Sequence, residues 1–329
     1  MDAMTRNFLL AGLVCAAGFA LHAQSPVPKA APPKTPPPTA EQEMFMRQSR
    51  ELFRGGKNKE AIGFATKAIA AAPKNMYGYL FRGQLHETLR MNDEAVQDLS
   101  IALQLDPSQA EIYQLRGACQ FKLGRFKESI ADFDAYIRFQ PKQEPHHWQR
   151  GISYYYAKRY EEGRKQFDWH QTVNHNDVEN AVWHFLCVAR KDGLEKAREK
   201  LIPIEGDKRV PMMEVLKLFA GTLKPSEVMT AAKAGNPPPA ELEYRLFNAH
   251  LYLGLYYDVT GKTDLARLYL GRAAEKSEKF GYMGDVARVH ADYMQKEPIA
   301  APKVVPKVAP ETTPKEKEQG NKAKEPKKK

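Results

Sequence analysis

The sequence predicts an all-α fold, a solenoid of helix–turn–helix units flanked by two disordered, proline-rich arms. Three observations support this fold class. Small residues and prolines recur at one fixed spacing in the middle of the chain. No segment alternates apolar and polar residues with the period of two that is typical of a β-strand. Thirteen of the 23 prolines lie in two short segments near the ends. With 329 residues and a 43% apolar share, the chain can bury a substantial core.

The first 23 residues, 1–23, have the layout of a secretory signal peptide. Residues 8–21 form an uncharged apolar run of fourteen residues that follows Arg6. This run is short for a membrane span but has the length of a signal-peptide core. Small residues permit cleavage after Ala20 or Ala23, and retention as an uncleaved anchor helix is the alternative.

Cys15 lies within this apolar run and bears on lipid attachment. A lipobox requires Gly, Ala or Ser before its cysteine, whereas Val14 precedes Cys15, so the lipobox is not satisfied and acylation is not expected. We therefore expect an exported protein that is periplasmic or secreted. Association with the outer membrane is left open.

Two segments rich in proline and lysine flank the middle of the chain. Residues 24–40 hold seven prolines and a net charge of +2, and residues 297–329 hold six prolines and a net charge of +4. Their apolar content is too low to offset the entropy of ordering, so a disordered linker and a disordered tail are expected. Of the formal net charge of +10, about +4 is left for residues 41–296. This is ordinary for a domain of that size, so nucleic-acid binding is not expected.

A single repeat period organises the chain from residue 42 onward. The recurring residues are Pro73, Pro107 and Pro141 after apolar helix ends, and Gly83, Gly117 and Gly151 within helices. This pattern resembles the tetratricopeptide repeat (TPR) family, in which small residues let two antiparallel helices approach closely and a proline ends the second helix. Each pair buries its apolar face against neighbouring pairs, so such units occur in series.

The repeats vary in quality along the chain. Four units carry the pattern, the fourth in degenerate form, and a fifth is only TPR-like. An irregular helical region, a last good repeat and a closing helix follow. The predicted boundaries are 42–75, 76–109, 110–143, 144–177, 178–206, 207–240, 241–280 and 282–295.

The order of helices after residue 178 resembles the family of the bacterial envelope lipoprotein NlpI. The residues that carry the resemblance are the segments 181–201, 214–228 and 245–275. The resemblance implies one helical domain over 41–296 and a homodimer formed through the helix at 42–54. It also implies a non-catalytic scaffold that brings a periplasmic protease and cell-wall hydrolases together.

The chain carries no recognisable catalytic motif. His86 begins a run like HExxH, but Arg90 stands where a zinc protease has its second histidine. Cys119 and Cys187 are expected to be buried free thiols, because whole-repeat spacing exceeds disulfide distance. Four histidines lack the spacing that puts two ligands on one helix face, so we expect partly exposed helix-end residues; they are His146, His147, His170 and His175. No enzyme, cofactor or metal is expected.

The TPR resemblance implies a concave face lined by the first helix of each repeat, and this face is the predicted partner-binding groove. Trp148, Tyr155 and Tyr156 form its densest aromatic group, and aromatic side chains supply contact area at low entropic cost. The predicted groove residues are Met46, Phe53, Arg54, Leu80, Gln84, Phe121, Lys122, Trp148, Ile152, Tyr155, Tyr156 and Arg190. Packing of some of them against residues 207–240 is the open alternative.

The predicted groove also indicates the chemistry of its ligand. The basic and asparagine residues with which chaperone-binding TPR proteins hold a terminal carboxylate are absent from the matching positions. We therefore expect an apolar or aromatic peptide anchor flanked by Arg54, Lys122 and Arg190.

These features predict a non-catalytic, exported TPR adaptor that binds other envelope proteins. The alternative is a tether whose basic tail binds anionic cell-wall or lipid surfaces. The cue for that alternative is the run Lys327-Lys328-Lys329, with PKVVPKVAP upstream of it.

Overall fold

The structure, a computed structural model, describes residues 36–296, without the side chain of Lys296. Every regular element in this range is helical, so the all-α, TPR-like class is confirmed for it. None of the helices between residues 36 and 296 is long and apolar enough to cross a membrane. The predicted signal peptide, the linker up to residue 35 and the tail at 297–329 lie outside the described residues.

The described chain forms two compact units, residues 36–157 and 158–296. The first unit consists of three helix pairs, a short 3-10 helix and one further helix. In order these are α1 (Ala40–Arg54), α2 (Asn58–Ala71), α3 (Met76–Thr88), α4 (Asn92–Leu105), α5 (Ala110–Lys122), α6 (Phe126–Phe139), the 3-10 helix Pro141–His146 and α7 (Trp148–Tyr156).

Each of the three pairs closes with the same turn. Two residues after the end of the first helix, the backbone enters the left-handed region, at Gly56, Arg90 and Gly124, with φ of 74°, 61° and 73°. The next N–H then donates to the carbonyl five residues back, as in the bond from Met91 to His86 at 2.9 Å. This is a Schellman-type end, which satisfies a helix carbonyl and reverses the chain.

Close approach of the paired helices explains the recurring glycines. A Cβ on Gly117 would lie 2.8 Å from the Phe133 ring, and a Cβ on Gly83 would lie 3.0 Å from Leu99. Any larger side chain would therefore push the second helix away. Buried apolar side chains fill the space between neighbouring pairs, such as Leu99 of α4 beside Ile112 of α5.

The second unit is built around a buried helix. Its elements are α8 (Tyr160–Gln171), α9 (Val178–Asp192), α10 (Leu194–Glu199), α11 (Met212–Ala220), α12 (Pro225–Lys233), α13 (Pro239–Val259), α14 (Thr263–Ala274), the 3-10 helix Ser277–Lys279 and α15 (Gly281–Lys296). Helix α9 is buried from Val178 to Ala189 at apolar and polar positions alike, with the exception of half-buried Glu179. The region at 207–240 contributes α11 and α12, and α11 packs on α9 through Phe219 and Phe185, whose ring centroids are 5.2 Å apart.

One ion-pair group centred on Arg209 links several helices of the second unit. Arg209 binds Asp177, Asp207 and Glu179 at 2.6, 2.6 and 3.1 Å, which ties the segment before α11 to the start of α9. Tyr252 of α13 donates its hydroxyl hydrogen to Glu179 at 2.7 Å. Burial raises the pKa of Glu179, and Arg209 and Tyr252 oppose this rise only in part.

Candidate protein-binding surface

The first helices of the repeats in the unit 36–157 are α1, α3, α5 and α7, and all but one of the predicted groove residues lie on them. The structure buries five of these residues: Met46, Phe121, Ile152, Tyr155 and Tyr156. Phe53, Leu80 and Trp148 are half-buried, and Arg54 and Gln84 are exposed. The groove prediction therefore mixes core residues with surface residues.

The aromatic group at α7 belongs largely to the core. Tyr155 and Tyr156 are only 4% and 3% exposed. The Tyr156 ring packs on Phe121 with a centroid distance of 5.6 Å and stacks on Phe126 at 5.0 Å. The expectation that these tyrosines present contact area to a partner does not fit this burial, because their rings fill the space beside α5 and α6.

Two predicted cations already have carboxylate partners. Lys122 of α5 pairs with Glu87 of α3, which links two successive first helices. Arg190, in the unit 158–296, has a side chain only 5% exposed and pairs with buried Asp258. Burial raises the pKa of Asp258, but His290 and Arg190 outweigh it, so the pKa lies below its usual value. Both cations are thus engaged in ion pairs within the protein, whereas the sequence predicted that they flank a bound peptide.

Histidines at the ends of the fourth repeat are more buried than expected. His147 and His170 are buried, whereas His146 and His175 are exposed, so the expectation of partial exposure is wrong for the first two. His147 accepts the N–H of Arg150 at the start of α7, and its ring lies 4.6 Å from that of Phe133. Burial and the charge of Arg150 lower the pKa of His147 to about 4, so the ring is neutral at pH 7.

An arginine ladder, which was not predicted, runs through the same units at the repeat period; its members are Arg82, Arg116 and Arg150. Arg116 of α5 binds Asp132 of α6 with two hydrogen bonds of 2.6 and 2.8 Å. Its third nitrogen donates to Ser100 of the preceding pair at 3.1 Å. Each arginine of this kind therefore joins two neighbouring repeats.

The other members of the arginine ladder vary this arrangement. Arg82 binds Asp98 at 2.7 and 2.9 Å and donates to Thr66 of the preceding pair at 3.0 Å. Arg150 donates to Asp134 of the preceding pair at 2.9 Å. The signal for the ladder was present in the sequence as arginines that recur at the repeat period, but the fold was needed to show their carboxylate partners.

Half-buried and exposed residues of α1 and α3 make up what we call the α1–α3 face; they are Arg50, Phe53, Arg54, Leu80, Phe81 and Gln84. The Arg50 guanidinium lies over the Phe81 ring, 4.9 Å from its centroid. Phe53 and Phe81 are half-buried against the small core of Ala61, Ala65 and Leu85. Within residues 36–296 neither Arg50 nor Arg54 forms an ion pair, so this face joins apolar area with two available cations.

Comparison with known proteins agrees with the helix pairs of the first unit. Residues 46–110 and 82–144 match a family model for the tetratricopeptide repeat. Over these residues the chain is similar to the tetratricopeptide repeat family. Among curated proteins, none matches the chain. Stacked repeats of this family form extended concave surfaces that bind other proteins.

Several solved structures are similar to this chain. A tetratricopeptide repeat protein from Parabacteroides merdae is 17% identical, with a TM-score of 0.50, and the match covers 78% of this chain and all of that one. MamA from Desulfovibrio magneticus is 14% identical, with a TM-score of 0.46, covering 61% of this chain and all of that one. PilW, a type IV pilus biogenesis factor, is 18% identical, with a TM-score of 0.37, covering 75% and 99%. At 17% identity, the likeness to the Parabacteroides merdae protein concerns the fold alone.

Proposed function

We propose that this protein is a non-catalytic TPR adaptor that is exported and holds other proteins of the cell envelope. The observation that carries the binding role is the α1–α3 face, where two half-buried phenylalanines lie beside Arg50 and Arg54. Aromatic and arginine side chains are those that most often dominate the energy of protein interfaces. Export is inferred from the signal-like segment 1–23.

The chemistry of the α1–α3 face favours a peptide with an apolar anchor and acidic flanks. Phe53 and Phe81 offer apolar contact area, and both rings pack against the small core cluster of Ala61, Ala65 and Leu85. Arg50 and Arg54 are exposed and can form charge-assisted hydrogen bonds with carboxylates. Of the cations predicted from the sequence, Arg54 keeps this role, whereas Lys122 and Arg190 are engaged within the protein.

The resemblance to the NlpI family suggests partners of a definite kind. By that resemblance the adaptor recruits periplasmic proteases or cell-wall hydrolases, and it forms a homodimer through the helix at 42–54. Met44 of α1, an exposed apolar side chain, supports a role of this helix in association.

A crosslinking pull-down from envelope extract tests the adaptor role. We expect Arg50→Glu/Arg54→Glu to lower partner recovery about tenfold, because charge-assisted contacts with acidic flanks are replaced by repulsion. Lys59→Glu/Lys74→Glu is the matched control, since it reverses two exposed charges on and after α2. Equal recovery with both double variants would show that the α1–α3 face is not the binding surface.

The tether is the second candidate function, and its support is the lysine-rich sequence of 297–329. It predicts that the protein sediments with isolated envelopes at low salt and is released as ionic strength rises, because exposed charges are screened. Replacing Lys327, Lys328 and Lys329 by glutamine should then abolish sedimentation. An adaptor without tether activity would sediment equally with and without these lysines.

A further inference from the structure

A groove of about 620 Å³ lies in the unit 158–296, between the first half of α13 and the end of α14, with the 3-10 helix Ser277–Lys279 at its edge. Its lining combines apolar side chains with charged ones. Phe247 and Phe280 stack with centroids 4.0 Å apart and an interplanar angle of 15°, and Leu246 lies beside them. Such an apolar surface suits an apolar side chain of a ligand.

The cations around this groove differ in what they bind. Lys276 and Lys279 both hold Glu243, at 2.7 and 2.9 Å, so their charge is largely used within the protein. Arg272 is exposed, lies 5.7 Å from the centroid of Tyr269, and forms no ion pair with any described carboxylate. Arg272 is therefore the cation at this groove that is available to an acidic ligand.

His250 adds a polar group next to Arg272. Its ring lies 5.9 Å from that of Tyr269, and it forms no hydrogen bond in the described part of the chain. Burial and the charge of Arg272 lower the pKa of His250, which keeps the ring neutral. A neutral imidazole can donate a hydrogen bond to a carboxylate while Arg272 supplies the charge.

The apolar area continues along α14 beyond the groove. Leu265 and Leu268 are large apolar side chains that stay exposed. With Arg272 they follow the spacing of three, four and seven residues that places side chains on one helix face. Exposed leucines in series next to an available arginine are unusual on a surface that stays in contact with water.

We propose that this surface, the α13–α14 face, is a second docking site, which binds an acidic peptide whose apolar side chain packs on Leu246 and Phe280 and whose neighbouring carboxylate binds Arg272. Charge complementarity selects this occupant. The chain's own segment 297–329 carries nine lysines against five glutamates, so Arg272 would repel it overall. The proposal goes beyond the adaptor role of the α1–α3 face, because it uses different residues in a different unit.

Selection of displayed 12-residue random peptides tests the chemistry, and the full chain carries Arg50→Glu/Arg54→Glu so that the α1–α3 face, which is proposed to bind peptides of the same kind, does not contribute. We expect the recovered peptides to be enriched in Asp or Glu beside Leu, Ile or Phe. Selection on the same chain with Arg272→Glu added should lose these sequences. If the chain with Arg272→Glu recovers the same peptides, or if the chain without it enriches no acidic residues, the proposal is wrong.

A matched pair of variants then measures the contribution of the charge. Fluorescence anisotropy with the most enriched peptide should show about tenfold weaker binding to Arg272→Glu, because a charge-assisted contact is lost. Arg267→Glu makes the same charge change on the opposite side of α14, at another exposed position, and should bind as the wild type does. Equal weakening by both variants would indicate a nonspecific charge effect and overturn the site.

Two further measurements exclude the other occupants. A synthetic peptide of residues 297–329 should not compete with the acidic peptide, and competition that depends on Arg272 would assign the face to the chain's own tail. Sedimentation velocity should show the same oligomeric state for the wild type and Arg272→Glu. A dimer that Arg272→Glu dissociates would assign the face to a second copy.

Discussion

Replacing one arginine of the arginine ladder, as in Arg116→Met, should strongly destabilise the first unit. Arg116 makes two charge-assisted hydrogen bonds to Asp132 and one hydrogen bond to Ser100. The side chain of Arg116 is 21% exposed and that of Asp132 only 7%. Methionine preserves much of the aliphatic packing, so the main effect is a carboxylate left buried without its partner.

The expected loss is about 3 kcal/mol in the free energy of unfolding, since breaking a largely buried pair leaves an uncompensated charge. Arg125→Met is the matched control. Arg125 pairs with Asp93 at 2.5 Å, but the two side chains are 45% and 56% exposed, so water screens the pair. Its loss should cost less than about 1 kcal/mol.

Urea unfolding of the full chain, followed by circular dichroism, provides the measurement. A double-mutant cycle with Asp132→Asn should return a coupling energy of about 2 kcal/mol, because asparagine removes the charge that methionine leaves unpaired. Equal destabilisation by Arg116→Met and Arg125→Met, or a coupling near zero, would refute the interpretation that the ladder joins the repeats.

The pH dependence follows from the pKa of Asp132. Burial raises this pKa despite the opposing effect of Arg116, so the folded protein binds the proton more tightly than the unfolded chain does. A raised carboxyl pKa destabilises the folded state above that pKa, and this penalty fades as the group becomes protonated. The deficit of Arg116→Met should therefore be smaller at about pH 5 than at about pH 7.5. A deficit independent of pH would argue against the unpaired carboxylate as its cause.

Three further predictions concern the helix contacts, the helix turns and the core, in that order. Gly117→Ala should destabilise the protein by about 1–2 kcal/mol in urea unfolding, because its Cβ would lie 2.8 Å from Phe133. Gly63→Ala meets no atom within 4 Å and should stabilise the protein by about 0.5–1 kcal/mol. The reverse order of these two effects would contradict the close-approach argument. Arg90→Gly should raise the thermal midpoint, with a gain of about 1 kcal/mol in the free energy of unfolding, because a φ of 61° favours glycine. A lower midpoint would contradict this reasoning. Cys187 is 1% exposed and burial raises its pKa, so it should react with a thiol reagent only after unfolding, and rapid labelling of the native protein would contradict its burial.

Sequence reasoning predicted the all-α class correctly, but it separated surface from core poorly. The small residue at Gly117 could be interpreted correctly because a close helix contact is a local steric requirement. Tyr156 and Arg54 show the limit. Both occupy positions that face a partner in a typical TPR unit, yet the tyrosine is packed on Phe121 and the arginine is exposed. The position of a residue in a repeat predicts the face of the helix on which its side chain lies. Whether that side chain is buried depends on which other segments of the chain pack against that face.

The amino-acid sequence alone determined that paired helices recur at a fixed period, since glycine at close contacts and proline after helix ends act within one repeat. The tertiary structure alone decided which charges are available. Lys122 and Arg190 are neutralised by carboxylates that lie 35 and 68 residues away in the sequence, whereas Arg54 and Arg272 are exposed and make no ion pair with any described carboxylate. A charge acquires or lacks a partner only when distant segments meet, so its role follows from the packing of the helices.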